Sequence, residues 1–223
     1  MSIAVALPPT ADDPFLTPDR LWFFGRGGHA RVVLDCADQS ELAIGFVDLA
    51  AETPWFLGYP LVTETTWLER AQGLTQPPRV ILALGNNHIR ARARARLRTL
   101  GMATTAAQVQ AATAFVSSRA MLGPGAMVLP GAVVNSGAQL GLDVIVNSGA
   151  VVEHDAQVGD HSHIAPNATL TGDAQVGARC FIGAGAVVRN RAKVGDDVTV
   201  GAGAVVVQHL TVPGICVGAP ARP

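Results

Sequence analysis

Between Val116 and Val212 the chain places a branched aliphatic residue at every sixth position. These positions are Val116, Leu122, Val128, Val134, Leu140, Val146, Val152, Val158, Ile164, Leu170, Val176, Ile182, Val188, Val194, Val200, Val206 and Val212. A period of six matches neither an amphipathic helix nor a simple strand pairing, and it is the repeat of a parallel β-helix. Each hexapeptide is expected to form one short strand and one turn, with its aliphatic side chain pointing inward. Three faces then close one coil of about eighteen residues.

Small residues recur at the expected corners of this rod. Most of the aliphatic positions are followed four residues later by a small one, as at Ala126, Ala138 and Ala150. Glycine recurs at the turns, at Gly123, Gly141, Gly159, Gly177, Gly183, Gly195 and Gly201. Glycine accepts left-handed or crowded backbone positions that other residues resist. The sequence therefore predicts an uninterrupted rod within residues 106–223.

Composition restricts the functions that the chain can have. The 223 residues include 16 basic and 17 acidic side chains, so charge gives no case for binding nucleic acid or an anionic membrane. The first residues lack the pattern of a signal peptide, and no long apolar stretch occurs, so membrane insertion is not expected. The dispersed cysteines Cys36, Cys180 and Cys216 indicate a reducing cytoplasm and packing roles.

The chain before the rod divides into a leader and an α/β domain. Residues 1–19 are rich in proline and acidic residues and are expected to form a flexible leader. Residues 20–105 are predicted to form the α/β domain, which begins with the apolar strand Leu21–Phe24. That strand runs directly into a glycine-rich turn, Gly25-Arg26-Gly27-Gly28-His29-Ala30, and helical spacing follows.

The glycine turn and Asp48, which ends the second expected strand, match the fingerprint of a dinucleotide fold. A full fold of that type needs two such halves, and the domain is long enough for one. The sequence therefore predicts a half-Rossmann unit, βαβαβα. Free N–H groups at the helix start would form an anion site. The alternative is that the glycines only make a tight turn.

Two further helices are predicted in this domain. Thr66 and Glu69 match a capping box that opens a short helix. The second helix follows the motif Gly85-Asn86-Asn87 and runs from His88 to Leu100. Its apolar face is expected to consist of Ile89, Ala93, Leu97 and Leu100. Its alternating arginines form no single stripe and are predicted to be solvated rather than to bind nucleic acid; they are Arg90, Arg92, Arg94, Arg96 and Arg98.

A cluster of histidines and carboxylates stands out among the outward positions of the rod. It comprises Glu153, His154, Asp155, Asp160, His161 and His163. A histidine accepts a proton near neutral pH, and an adjacent carboxylate orients it and stabilises its charged form, so His154-Asp155 has the composition of a general base. His161 is expected to be a surface residue. No metal site is predicted, because the spacing follows the rod rather than a ligand motif.

These motifs together resemble a known family. The hexapeptides, the segment NSGAVVEHDAQVG at 147–159 and the closing VGAPAR at 217–222 resemble the hexapeptide acyltransferases. With the GRGGHA and GNN motifs added, the chain from Leu21 onward resembles the PglD/NeuD-like bacterial sugar acetyltransferases. The resemblance implies a left-handed β-helix, a homotrimer and acetyl-CoA bound between neighbouring rods.

The resemblance also implies roles for individual residues. His154 would be the general base, Asp155 would orient it, Asn147 would help hold the site, and His163 would contact the acetyl carbonyl. Acetyl-CoA would lie along His163, Gly172, Ala184 and Ala202, with Arg222 at a phosphate. A nucleotide-activated amino sugar would occupy the crevice at the carboxyl ends of the strands. The residues assigned to that crevice are Gly25, Arg26, Gly27, Gly28, His29, Asp48, Gly85 and Asn86.

Three functions remain open from the sequence. The first is acetyl transfer from acetyl-CoA to the amine of a nucleotide-linked amino sugar, by direct attack on the thioester. The second is O-acetylation of a sialic-acid-like sugar with the same fold and cofactor. The third is a non-catalytic trimeric scaffold with a regulatory nucleotide site. The His154-Asp155 pair favours an enzyme, because a scaffold has no use for it.

Overall fold

A computed structural model describes residues 20–37, 43–72, 74, 76–102 and 104–222. The predicted leader, residues 1–19, lies outside the described residues. The described chain consists of an α/β domain followed by a rod of short parallel strands. None of the helices in the described ranges is long and apolar enough to span a membrane.

The α/β domain is built on a six-stranded sheet flanked by three helices. Its elements are β1 (Leu21–Phe24), α1 (Gly28–Ala37), β2 (Ile44–Asp48), β3 (Trp55–Phe56), β4 (Tyr59–Thr63), α2 (Glu64–Ala71), β5 (Arg79–Ile81), α3 (Asn87–Thr99) and β6 (Thr105–Ala106). The strand order is β3-β4-β2-β1-β5-β6, and every pair is parallel except β3 with β4. This is the predicted half-Rossmann arrangement, extended by a short antiparallel edge strand.

Strand β1 is fully buried, and its alternate side chains supply two separate cores. Leu21 and Phe23 pack with α1 and with residues of the rod, including Met127. Trp22 packs on the opposite side of the sheet, where its ring meets Trp67 of α2 edge-on at 6.5 Å. The sheet is therefore covered on both faces, as expected for parallel strands that are apolar throughout.

The start of α2 differs from the predicted capping box. The helix begins at Glu64, and its N-cap is Thr63, whose hydroxyl oxygen accepts from the backbone N–H of Thr66 at 3.2 Å. The prediction that Thr66 opens the helix is wrong. Thr63 and Thr66 lie three residues apart. Thr63 is the N-cap because it ends β4 and has extended backbone.

The rod has three faces, each a sheet of short parallel strands. The first, called the covered face, contains β7 (Val109–Gln110), β10 (Met127–Val128), β13 (Ile145–Val146), β16 (His163–Ile164), β19 (Phe181–Ile182), β22 (Val198–Val200) and β24 (Gly214–Cys216). The second, the aliphatic face, contains β8 (Phe115–Val116), β11 (Val133–Val134), β14 (Val151–Val152), β17 (Thr169–Leu170), β20 (Val187–Val188) and β23 (Val205–Val206). The third, the polar face, contains β9 (Met121–Leu122), β12 (Gln139–Leu140), β15 (Gln157–Val158), β18 (Gln175–Val176) and β21 (Lys193–Val194).

The predicted inward column is present along most of the rod. From Val128 to Val206 every aliphatic residue of the repeat belongs to one buried cluster, and Val116 and Leu122 pack partly buried at its start. Crowding explains the glycines between coils, since a Cβ on Gly159 would lie 2.6 Å from the carbonyl carbon of Gly177. One strand of the rod precedes the repeat that starts at Val116, because β7 already pairs with β10.

The last coil breaks the predicted register. Val212, expected inside, is 73% exposed. Val194 instead bridges to Leu210, which packs against the buried column two residues earlier than the repeat requires. The prediction for Val212 is wrong because this coil is shortened, while the sequence still happens to place an aliphatic residue at the sixth position.

Helix α3 lies against the rod and reverses part of its predicted orientation. Arg90 and Arg94, expected in solvent, are 0% and 4% exposed. Ile89 and Leu100, expected inside, are 45% and 46% exposed, and of the predicted apolar face Leu97 is buried. The helix turns two arginines toward the rod because carbonyl and carboxylate oxygens of the rod turns meet them there.

Candidate active site

His154 and Asp155 form a hydrogen-bonded pair on the turn after β14. Asp155 adopts a positive φ of 59°, and one of its carboxylate oxygens lies 3.0 Å from Nδ1 of His154. A carboxylate only accepts, so Nδ1 carries the proton and donates, which leaves Nε2 unprotonated in the neutral ring. The hydrogen bond to Asp155 raises the pKa of His154. The pair is therefore arranged as a base whose accepting atom is Nε2.

Gly172 leaves the space that the His154 ring occupies. A Cβ added to Gly172 would lie 2.5 Å from Nε2 of His154, too close for any real side chain. Residue 172 lies one coil beyond 154, at the same corner of the rod, so the small residue and the base are stacked neighbours. The predicted cofactor residue Gly172 thus adjoins the atom that would take the proton.

His163 is buried at the start of β16, in contact with the α/β domain. Its Nδ1 lies 3.3 Å from the carbonyl oxygen of Gly85, and its Nε2 lies 2.9 Å from the side-chain nitrogen of Asn147. The backbone N–H of Ser148 donates to Oδ1 of Asn147, which fixes the orientation of that amide. Burial, followed by the charge of Arg90, lowers the pKa of His163 to about 4.

These contacts determine where the His163 proton lies. The carbonyl of Gly85 only accepts and the amide nitrogen of Asn147 only donates, so the neutral ring carries its proton on Nδ1 and accepts at Nε2. The second N–H of Asn147 is then a donor available to a ligand. The role of His163 at the acetyl carbonyl stays a prediction, and this arrangement favours Asn147 as the donor.

The two histidines occupy different corners of the rod. His154 lies on the turn between the aliphatic face and the polar face, whereas His163 begins a strand of the covered face. Within the described residues no hydrogen bond, ion pair or ring contact joins them. His154 and His163 of one chain therefore lie at two separate places on the rod.

The glycine turn closes the carboxyl end of β1 and opens α1. Gly25 requires glycine, since its φ is 101° and a Cβ would lie 2.8 Å from the side chain of Leu84. Gly27 and Gly28 face open space, with nothing within 4 Å of an added Cβ. Arg26 reaches over the turn to Asp48, with its Nε 3.4 Å from a carboxylate oxygen. The helix start is thus open to an anionic ligand.

His29 links this turn to the rod. Its ring centroid lies 6.1 Å from that of His163, and the β-carbon position at Gly85 lies 3.7 Å from the His29 Cβ. Burial, then the neighbouring His163 and Arg90, lowers the pKa of His29 to about 4. Its Nε2 is buried and makes no hydrogen bond.

A cavity of about 400 Å³ opens at the carboxyl ends of β1 and β2. Its wall includes the predicted residues Gly25 and Asp48, with apolar side chains from several elements. It also contains Glu64 and Arg96, joined by an ion pair at 2.8 Å, which the sequence analysis missed. Mostly apolar walls with a few polar groups are typical of a small-molecule site. The alternating arginines of α3 gave no indication in the sequence that Arg96 lines a cavity.

Gly85 and Asn86 border a different depression. They line it together with Arg179 and Phe181 of the rod. Asn86 has a structural role as the N-cap of α3, since its Oδ1 accepts from the backbone N–H of Ile89 at 3.0 Å. The predicted substrate residues are thus divided between two neighbouring openings.

The remaining cofactor candidates lie on exposed turns. Ala184 and Ala202 are exposed and stacked in successive coils, where the N–H of Gly203 donates to the carbonyl of Ala184. Arg222 is exposed and pairs through its backbone with Val217 at the end of the rod. Among the residues that the structure describes, no group of His, Cys, Asp and Glu side chains is placed to hold a metal ion.

Comparisons with known proteins match both parts of the chain. Residues 20–97 match the model of the PglD N-terminal domain, and residues 137–172 and 173–208 match the bacterial transferase hexapeptide model. A perosamine N-acetyltransferase mutant from Caulobacter crescentus, solved with CoA and GDP-perosamine, is 34% identical, with a TM-score of 0.83 over 91% of this chain and 95% of that one. The chain belongs to the PglD-like family of hexapeptide sugar acetyltransferases.

Two other solved structures resemble this chain. The acetyltransferase domain of PglB from Neisseria gonorrhoeae FA1090, in complex with acetyl coenzyme A, is 33% identical, with a TM-score of 0.84 over 92% of this chain and 98% of that one. WeeI from Acinetobacter baumannii AYE shares the fold at 24% identity, with a TM-score of 0.81 over 91% and 98% of the two chains. No curated protein sequence matches significantly.

Family membership confirms the predicted fold class, a half-Rossmann domain followed by a left-handed β-helix, and the acyltransferase class. It leaves the individual site residues as predictions. The prediction that His161 is a surface residue is wrong, because it is buried, with its Nδ1 3.5 Å from the carboxylate of Asp143. A histidine on a turn is usually solvated, and here α3 covers it.

Proposed function

We propose that the protein transfers the acetyl group of acetyl-CoA to the amine of a nucleotide-linked amino sugar. The observation that carries the proposal is the His154-Asp155 pair with a free Nε2 beside Gly172. Two relatives support the choice of substrates, since one was solved with CoA and GDP-perosamine and another with acetyl coenzyme A. A scaffold would have no need for a paired base next to a glycine that leaves room for its ring.

In this reaction the neutral amine attacks the thioester carbonyl while Nε2 of His154 takes one of its protons. Asp155 keeps the ring oriented and stabilises the imidazolium that forms. An N–H donor, the role proposed for Asn147, stabilises the negative oxygen of the tetrahedral intermediate. The carbon–sulfur bond then breaks, and CoA leaves as the thiol after receiving the proton from His154. No covalent enzyme intermediate is required.

The proposed active unit is a homotrimer with its sites between rods. The α/β domain covers one face of the rod, and Gln139, Gln157 and Gln175 make a second face polar. The aliphatic face instead presents a half-exposed outward row of Phe115, Val133, Val151, Thr169, Val187 and Val205. Such an apolar row is suited to burial against another copy. Packing of this kind would also bring His154 of one protomer near His163 of the partner subunit.

The length of the rod is consistent with the predicted place of Arg222. About twelve bonds separate the sulfur of CoA from its first phosphate ester oxygen, and an extended chain spans about 14 Å over that number. From Val151, beside the base, three coil steps lead to Val205, whose carbonyl accepts from the N–H of Ala221. At about 4.8 Å per step this distance is also about 14 Å. Arg222 is therefore proposed to meet a CoA phosphate.

The nucleotide is proposed to occupy the cavity at Gly25 and Asp48, with its pyrophosphate at the glycine turn. The turn, the open helix start and the apolar cavity wall support this placement. We also propose a cytoplasmic location, since Cys36, Cys180 and Cys216 are free thiols.

The direct test is an assay of CoA thiol release with purified protein. Acetyl-CoA would be combined in turn with UDP-, dTDP-, GDP- and CMP-linked amino sugars, and each would be compared with its hydroxyl counterpart. Release that depends on one amino sugar, with an N-acetylated product by mass spectrometry, is the expected result. Release with the hydroxyl sugar alone would replace the proposal by O-acetylation, and release with none would favour the scaffold.

A further inference from the structure

Arg90 is a completely buried charged side chain between the α/β domain and the rod, at 0% exposure. Its guanidinium donates to five oxygens on three segments, four of them at 2.9 Å or less. Nη1 donates to the Leu84 carbonyl at 2.6 Å, and Nη2 donates to Oδ1 of Asn87 at 2.9 Å. In the rod, Nε donates to the Asp143 carbonyl at 2.9 Å and Nη2 to the His161 carbonyl at 2.6 Å.

All five partners are uncharged oxygens, which is unusual for a buried cation. The carboxylate of Asp143 is instead taken by Arg94, through two hydrogen bonds of 2.9 and 2.8 Å. Burying a charge against neutral groups is costly, and burial lowers the pKa of Arg90 to about 10. Docking of the two domains is already served by the Arg94–Asp143 pair, so Arg90 calls for a further reason.

The position of these oxygens supplies that reason. Leu84 immediately precedes Gly85, whose carbonyl accepts from Nδ1 of His163. His161 and Ser162 immediately precede His163, and the Ser162 carbonyl lies 3.4 Å from Nη2 of Arg90. Arg90 therefore binds the backbone next to Gly85, at Leu84, and the backbone next to His163, at His161 and Ser162. Its planar fork reaches both at once, which a lysine cannot do.

We propose that Arg90 is a positioning residue for acetyl transfer, which holds the Gly85 carbonyl against His163 so that the ring keeps its proton on Nδ1 and accepts from Asn147 at Nε2. This inference rests on the proposed acetyl transfer for its effect on rate. The effect on the His163 tautomer is independent of it. His163 contacts both the carbonyl of Gly85 and the amide of Asn147, so Arg90 would keep the positions of these two groups fixed relative to each other.

The test compares Arg90→Lys with Arg94→Lys. Both residues are buried on the same face of α3 and contact the rod, and only Arg90 touches the backbone beside Gly85 and His163. For R90K we expect kcat to fall about 10- to 100-fold, the usual effect of a displacement near 1 Å at a site, with smaller changes in KM. R94K should lose thermal stability and keep kcat within about threefold at a temperature where both variants are folded.

A second readout needs no turnover. Two-bond ¹H–¹⁵N spectra of histidine-labelled protein should show His163 as the Nδ1–H tautomer in wild type and R94K, and as a mixture in R90K. Equal kcat losses in R90K and R94K, or an unchanged tautomer in R90K, would overturn the proposal. If R90K does not assemble, Asn87→Ala removes one of the five acceptors of Arg90 and should give a smaller change of the same kind. An unchanged tautomer in that variant would count equally against the proposal. An inactive wild type with the expected tautomer would refute the proposed function alone.

Discussion

A side chain on Gly172 and the imidazole of His154 cannot occupy their present positions together, because a Cβ on Gly172 would lie 2.5 Å from Nε2. We therefore expect Gly172→Ala to displace the ring and lower kcat by at least about tenfold, with little loss of stability since His154 is an exposed side chain that can move. Steady-state kinetics with melting curves would show this. Normal kcat in G172A would mean that the ring position is not the reactive one.

Asp155→Asn should change the pH dependence of the reaction. Asp155 raises the pKa of His154, and a raised pKa means that the base loses its proton only at higher pH. Removing the charge should shift the acidic limb of the kcat/KM profile to lower pH and reduce kcat less than loss of His154 does. Profiles of both proteins on one substrate would show the shift. A limb that stays in place would assign it to another group.

Gly27→Val should affect one substrate and spare the other. No atom lies within 4 Å of a Cβ added at Gly27, so folding should be unaffected, and the new side chain would fill the place proposed for the pyrophosphate. We expect a higher KM for the nucleotide sugar with an unchanged Kd for CoA, measured by kinetics and calorimetry. Weaker binding of both ligands to the same degree would contradict the assignment of the turn.

His29 and His163 should make the protein sensitive to mild acid. Both have a pKa near 4 when folded and near 6.5 when unfolded, so between these values the unfolded chain binds more protons. Their contribution to the free energy of unfolding is complete above about pH 6.5 and declines as the pH falls toward 4. The Tm of His29→Gln should fall less between pH 7.5 and 5 than that of wild type. Parallel Tm curves would show that His29 is not buried in the neutral form.

Val188 and Val212 provide a test of the shortened last coil. Both follow the hexapeptide repeat, yet Val188 is 0% exposed and Val212 is 73% exposed. Val188→Asp would place an unpaired charge in the column at a cost of several kcal/mol, roughly enough to prevent folding. Val212→Asp should melt close to wild type. Similar losses in the two variants would show that the repeat continues to the end of the rod.

The sequence predicted the rod well because each hexapeptide has a single large inward position, so the register can be read residue by residue. The prediction for Val212 failed because the last coil is shorter, and the sequence still has an aliphatic residue at the sixth position. The repeat therefore gives no sign of the shortening. The half-Rossmann unit was likewise accessible, since Leu21–Phe24 and the glycine turn are local signals.

The contacts between the two domains could not be predicted in this way. Arg90 and Arg94 look like members of a solvated face, and what buries them is a set of carbonyls and the Asp143 carboxylate on distant turns of the rod. The same covering helix buries His161. Helix periodicity shows which residues lie on the same face of α3. It does not show which oxygens of the rod lie against that face.

The most direct test of the account is the kcat of His154→Ala with acetyl-CoA and the amino-sugar acceptor identified for wild type. We expect kcat to fall by about 10² to 10⁴, the contribution of a general base, while the Kd of acetyl-CoA and the assembly state stay the same. His209→Ala, which alters an exposed histidine of the last coil, serves as the matched control and should behave as wild type. Near-normal turnover in H154A would contradict the central claim that Nε2 of His154 takes the proton from the attacking amine.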